Sequence, residues 1–472
     1  MDTKEVSLFS TFHCKGIWWF PNSPETKIPG ILTWDGDRLL LDVIDVSGIL
    51  PLFLEQVGLG VSDEDSIMLG QLEDGRPCTL QGVRNTSRPS LGIPEPSIYA
   101  HVAFLGTHFS SKDAILFSSV IVEFTDLEKW MFKDWLFQHE DIREDGGAYG
   151  WRVDFKMPTG VYAHIPAIEA DVNFGCSASR SGGFTTLTLN VTPNVSILPG
   201  KPQHFDWHLK IIRDLRNWLS LLIGRLVQPS RIQSSTEQEP YENIQVIQSW
   251  MGKRREESFH PTLVRIGLHS IRDEVEPLLQ KWFDHSERIR DVFNLFFGTI
   301  HADNMYVEFH YLSLIQAVEA YSRAATSSTY VLQDDYDKIR DELVRAIPQS
   351  TPNDLKSSLK NKIKYGNEFS LRKRLDRLLK SLEVPTLDMI CQNREQYVER
   401  VVATRNYLTH YTSELREQAW HQDKMLNACQ SLTVLLTILL FKEVGLSEER
   451  IREVLTGHFD TSQTIAHYRQ KL

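Results

Sequence analysis

Two hydrophobic periods divide this chain. Up to about residue 195 the apolar positions come in short alternating runs, the pattern of strands with one face in a core. The clearest is 30–41 (GILTWDGDRLLL), where two apolar runs meet at Asp35-Gly36. That dipeptide suits a tight hairpin turn because glycine tolerates positive φ. Asp74-Gly75 marks a second turn, and further strands are predicted at 67–72, 79–83, 97–105, 118–124, 160–165 and 185–191. Residues 126–136 read instead as a short amphipathic helix with Asp126 at its N-cap. Residues 192–203, with Pro193, Pro199, Gly200 and Pro202, read as a linker.

Beyond the linker the period lengthens to that of a helix. It holds over 205–227 and 278–297, and from 306 onward helices dominate. Residues 307–324 place Phe309, Leu312, Ile315, Val318 and Tyr321 at helical spacing, with polar Glu319 among them. Helices follow at 335–346, 355–365 (closed at Gly366), 371–382, 394–405 with a continuation past 410, and 423–444. The pattern predicts a multidomain α+β protein: a β-rich domain over 1–200, a helical connecting region over 201–300, and an all-α bundle over 301–472. Neither a solenoid repeat nor a low-complexity tract interrupts it.

Composition narrows the partners. The chain has 472 residues, enough for two or three domains at ~150 residues each. Its net charge of −11 argues against a general nucleic-acid coat, so any RNA contact has to be local. The five cysteines are scattered without CxxC spacing, which suggests neither a disulfide framework nor a zinc site. No metal or cofactor is expected. The first residues lack the apolar core of a signal peptide. The longest apolar run, 432–441, is far short of the ~20 residues that span a bilayer. A cytoplasmic protein without a membrane partner is expected.

Candidate chemistry concentrates in VVATRNYLTHY, which starts at Val401. Arg405 supplies a fixed cation and His410 a group that exchanges protons near neutral pH, a pairing suited to phosphodiester chemistry. The spacing alone decides nothing, because Arg255 with His260 and Arg416 with His421 repeat it. The setting separates them. Val398, Val401 and Val402 form an apolar stripe ahead of Arg405, whereas Arg255 lies in a polar run and Arg416 on an ordinary charged helix face. Five residues advance a helix by ~140°, so the pair asks for a helix end or a distortion. The competing reading has Arg405 paired with a carboxylate such as Glu399 and His410 satisfied in the core.

Residues 355–382 form the one strongly basic stretch. Lys360, Lys362, Lys364, Tyr365, Arg372 and Arg374 are candidate RNA contacts, cations along a phosphate track with an aromatic for stacking. They read equally as solvated helix faces. In the first half, His101, His108, Asp113 and Ser110-Ser111 have no recognisable catalytic or metal spacing. Trp18-Trp19-Phe20 and Trp34 read as a partner surface or as core.

These residues carry a resemblance. The last ~170 positions resemble a HEPN domain, the helical ribonuclease superfamily whose signature of Arg, a polar residue and a later His is filled by Arg405, Asn406 and His410. LKNKIKYGNE at 359–368, LRKRL at 371–375 and residues 404–411 resemble the ApeA type found in bacterial anti-phage proteins. GILTWD at 30–35, FLGTHF at 104–109 and VEFTDLEKW at 122–130 resemble the β-rich domain that precedes it there. The resemblance implies abortive infection by metal-independent RNA cleavage, regulated by the N-terminal domain. It also implies a homodimer or higher homo-oligomer, because HEPN domains commonly pair to bring two Arg-His sets together. On that basis His410 is the general base, its symmetry mate the general acid, Arg405 the phosphate clamp, and Asn406 an orienting group. RNA, a second copy and a phage-derived trigger are the implied partners. The alternative is a non-catalytic RNA- or ligand-binding protein whose bundle serves for docking and dimerisation; the intact Arg405 and His410 favour the nuclease.

Overall fold

The computed structural model describes residues 6–44, 48, 53, 66–86, 97–132, 136–142, 148–183, 185–238, 243–248, 259–300, 302, 304–325 and 328–472. These divide into two compact units, 1–283 and 284–472. The first is built on one antiparallel sheet of fourteen strands. The predicted hairpin appears as Ser23–Trp34 paired with Leu39–Val43, and Phe12–Phe20 lies on its other side. Ile67–Leu72, Pro77–Gln81 and Val102–Leu105 continue the sheet in that order. Ile244–Gln248, Pro229–Ser235, Ser119–Phe124, Leu187–Pro199, Ala170–Gly182 and Val161–Ile165 complete that direction.

The helix Phe205–Ile223 supplies the core that this sheet needs. Trp218 meets Trp130 and Phe174, while Phe205 packs against Phe104 and Phe117. Trp18, Phe20 and Trp34 are also buried, and Trp19 is half-buried against His108. His108 has a packing position, its Nε2–H donating to the Gly70 carbonyl at 2.8 Å.

Four expectations for this half change. The segment 192–203 is not a linker, because the strand Leu187–Pro199 runs through it and Pro193 pairs with Cys176. Its second neighbour, Ser119–Phe124, reaches only Val195 to Ile197. Pro193 therefore sits where no second ladder asks for its missing N–H. The helix at 126–136 shortens to Leu127–Met131, and a strand, Leu136–Ile142, starts where it was to end. Asp126 does stand at the N-cap position but makes no capping bond; its carboxylate pairs with Lys129 and Arg225. The region 201–300 is not wholly helical either, since Pro229–Ser235 and Ile244–Gln248 fill the middle of the sheet.

The second unit is all-helical. Gln422–Glu443 runs through it with Leu432, Leu435, Leu436, Leu439 and Leu440 buried, packed on Val307–Ala325 and Phe459–Lys471. By length and composition Gln422–Glu443 could cross a membrane, yet 78% of its apolar window is buried inside the unit, as in a core helix. In Val307–Ala325 the buried face is Tyr311, Leu314, Ile315, Val318 and Tyr321. Phe309, expected on that stripe, is 60% exposed.

One close approach in the sheet tests its register. Gly70 stands directly opposite Trp18, and a Cβ added there would lie 2.3 Å from the indole ring. Neither backbone nor a fully buried indole yields easily, so Gly70→Ala should destabilise the protein by about 1–3 kcal/mol, read as a lower denaturation midpoint. An unchanged midpoint would mean that Trp18 does not lie over Gly70.

Candidate active site

The helix Arg394–His410 carries the predicted catalytic set. Asn393 caps its start by accepting from the Gln396 N–H at 3.0 Å. Val398, Val401 and Leu408 bury one side, and Thr404 fixes the helix against the next turn. The Thr404 hydroxyl donates to the Arg400 carbonyl and accepts from the Trp420 N–H at 2.9 Å. The helix stops at His410 because Tyr411 turns left-handed (φ 52°) and its N–H bonds to the Tyr407 carbonyl.

Arg405 and Asn406 look into an open cleft of about 460 Å³. Arg405 Nη1 donates to Asn406 Oδ1 at 3.2 Å, and its Nη2 lies 3.8 Å from Glu319 Oε1. The carboxylate partner is thus Glu319, not Glu399. Arg323, Arg372 and Arg374 also line the cleft, leaving Glu319 as the one carboxylate in the lining among the described residues. Ser370, Leu371 and Arg372 bring in the N-terminus of the Leu371–Lys380 helix. Its first turn holds Arg372, Lys373 and Arg374 and no acid. Cations there gain nothing from the helix dipole, and together with the N-terminal N–H groups they give the cleft a positive wall.

The four arginines do different jobs. Arg374 was expected among the surface RNA contacts, but its side chain is 2% exposed. It donates to the Phe369 carbonyl at 2.9 Å, Ser328 Oγ at 2.7 Å and Glu368 Oε2 at 3.4 Å. Burial lowers its pKa, nearby Arg323 adds to that, and Glu368 opposes it. Arg374 is therefore a structural cation behind the cleft wall. Arg323 sits 3.7 Å from Glu368. Arg372 is exposed and has no ion-pair partner among the described residues.

His410 does not line this cleft. It is exposed at the helix end, with no hydrogen-bond or ion-pair partner among the described residues, so it is not a satisfied core histidine. One chain accordingly presents Arg405 and His410 on different sides of one helix. Lys360, Lys362, Lys364 and Tyr365 are exposed too, but on or next to the Asn353–Lys364 helix and outside the cleft lining. Of the rival matches, His421 bonds to the Arg416 carbonyl at 2.7 Å and packs on Tyr407, while Arg255 lies outside the described residues. Glu319 and Arg323 are the cleft residues that sequence reading did not assign. Their signal was a Glu and an Arg four apart, one helical turn, on a helix otherwise read for its apolar face.

The family model for ApeA N-terminal domain 1 matches residues 13–282, more than half of the chain. The chain belongs to the ApeA family. The Apea-like HEPN model matches residues 312–450, which hold the whole cleft and His410. The ApeA N-terminal domain thus takes in the entire sheet, including the two strands beyond residue 200, and the family is one of anti-phage HEPN nucleases. Neither the curated proteins nor the solved structures give a match. Among the described residues no group of three or more His, Cys, Asp or Glu side chains is placed to share a metal ion.

The two arginines of one helix turn should separate on substitution. Arg374→Ala strands buried acceptors and should cost about 2–3 kcal/mol of stability. Arg372→Ala, at an exposed unpaired position, should stay within about 0.5 kcal/mol of the parent. Equal denaturation midpoints for the two variants would refute these assignments.

Proposed function

We propose that this ApeA-family protein is a cytoplasmic, metal-independent endoribonuclease of anti-phage defence that cleaves RNA through Arg405 and His410. The observation that carries the reading is a free histidine at the end of the same helix that aims an arginine into a cation-lined cleft. A phosphodiester is the anion in RNA that such a cleft would draw. Arg405 would bind its non-bridging oxygens, with Asn406 and Glu319 holding the guanidinium in place. Arg372 and Arg323 would contact neighbouring phosphates.

His410 acts as the base in this reading. It takes the ribose 2′-OH proton, the oxygen attacks phosphorus, and the bond to the 5′-oxygen breaks, giving a 2′,3′-cyclic phosphate. The departing oxygen needs a proton, which the His410 of a second copy would donate. A homodimer also answers the divergence of Arg405 and His410 along the helix, because the two copies can complete each other's sites. The sheet domain would regulate this chemistry, with a phage-derived component as the trigger.

His410→Ala should lower cleavage by about 10²- to 10⁴-fold, the usual contribution of a general base, and Arg405→Ala should abolish it, both with unchanged folding. His421→Ala should cleave as the parent does. The assay is cleavage of total bacterial RNA, with and without EDTA, followed by end-group analysis. Full phage protection by a stable His410→Ala protein, or 3′-hydroxyl products, would sink the mechanism and leave the bundle as a docking module.

A further inference from the structure

The helices Gln333–Arg345 and Asn353–Lys364 form a hairpin, and each has the other as its main packing partner. Leu332, Tyr336, Ile339 and Leu343 follow one side of the first at helical spacing; Leu355, Leu359 and Ile363 follow one side of the second. Such stripes normally belong in a core. Here only Tyr336 is buried, while Leu332, Ile339, Leu343 and Leu355 are 77, 45, 47 and 51% exposed.

The hairpin is nonetheless firmly rooted. Buried Asn367 accepts from the Tyr330 and Val331 N–H groups at 3.1 Å and donates to the Val331 carbonyl at 3.0 Å. At the other helix end, the Tyr336 hydroxyl donates to the Ile363 carbonyl. A fixed scaffold with a half-bare apolar stripe calls for a cover.

Charge says what the cover is. Gln333–Arg345 holds Asp334, Asp335, Asp337, Asp341 and Glu342 against three bases, whereas Asn353–Lys364 holds Lys356, Lys360, Lys362 and Lys364 against Asp354. None of these four lysines has a carboxylate partner among the described residues. A nucleic acid drawn to the lysines would meet the acidic helix beside them. A surface with one acidic and one basic helix is instead complementary to itself across a two-fold axis. The geometry points to a second copy of this chain as the occupant: we infer that two hairpins form a four-helix contact, each acidic helix lying on the partner copy's basic helix with the apolar stripes between them. The inference rests on the homodimer reading above and names its surface. It also moves Lys360, Lys362 and Lys364 from the RNA to the interface.

The test uses the full chain and light scattering after size exclusion. Asp335→Lys with Glu342→Lys turns the acidic helix net basic, and Lys360→Glu with Lys364→Glu turns the basic helix net acidic. Each variant alone should be monomeric at concentrations where the parent is a dimer, and an equimolar mixture should restore the dimer. Mixing cannot rescue a folding defect, so restoration identifies the contact. If both variants stay dimeric alone, the hairpin is not the interface and the homodimer reading survives. If the lysine variant keeps its dimer but loses binding to single-stranded RNA, the face serves RNA and the inference falls. A monomeric parent protein overturns the inference and the shared-site mechanism together.

Discussion

An α-helix turns ~100° per residue, and that constraint shapes everything around the Arg-His pair. Arg405 faces the cleft, so His410, five positions on, faces elsewhere unless the helix is broken between them. The chain does not break it. Thr404 is tied to Arg400 and Trp420, the Thr409 hydroxyl donates to the Arg405 carbonyl, and regular helix persists to the left-handed cap at Tyr411. The divergence is therefore built in by the residues flanking the pair. This divergence is why the proposed mechanism draws its second histidine from a second copy.

The acidic background sharpens the cleft. With a net charge of −11, the proposed RNA contact has to rest on local charge rather than on long-range attraction. The cleft concentrates four guanidinium groups around one lining carboxylate, at the N-terminus of a helix that has no acid in its first turn. One of the four, Arg374, has a structural role, tying the Ser328 hydroxyl to the Phe369 carbonyl from inside. Its neighbour Arg372 keeps its guanidinium free. Folding thus tolerates the cation cluster because one member is hydrogen-bonded on every side, and the positive wall that is left favours an incoming anion.

What the sequence made legible follows from what short-range pattern can encode. Period-2 runs located several of the strands, to the residue for Ile67–Leu72, because alternation is a property of the strand itself, while Phe12–Phe20 and Ala170–Gly182 went unassigned. The helix carrying Arg405 was legible as well, but its pattern pointed to a continuation past 410, and the left-handed Tyr411 ends it at His410 instead. Pro193 misled, since a proline marks a break only where both edges of a strand are paired. Pro229–Ser235 and Ile244–Gln248 were missed because a five- or seven-residue run rich in Ser and Gln becomes a strand only when a waiting sheet accepts it. The burial of Arg374 was in principle readable: it lies four before Leu378 and so shares the apolar face of its helix. Basic neighbours on both sides hid it.

The cleft as a whole was not legible, and the reason is general. Glu319 and Arg323 precede Arg405 by 86 and 82 residues, and nothing local marks them as meeting it. Only packing of Val307–Ala325, Leu371–Lys380 and Arg394–His410 on one another creates the concavity. The half-bare hairpin is the opposite case. Its stripes and charges are plain in the sequence, but their pattern predicts burial, and it takes the structure to show that the described residues of the bundle leave them half-exposed. A sequence specifies which faces must be buried without stating by which molecule. Where packing within the bundle stops short of a well-patterned face, that face asks for a cover, and it is the self-complementary charge pattern that makes a second copy the proposed one.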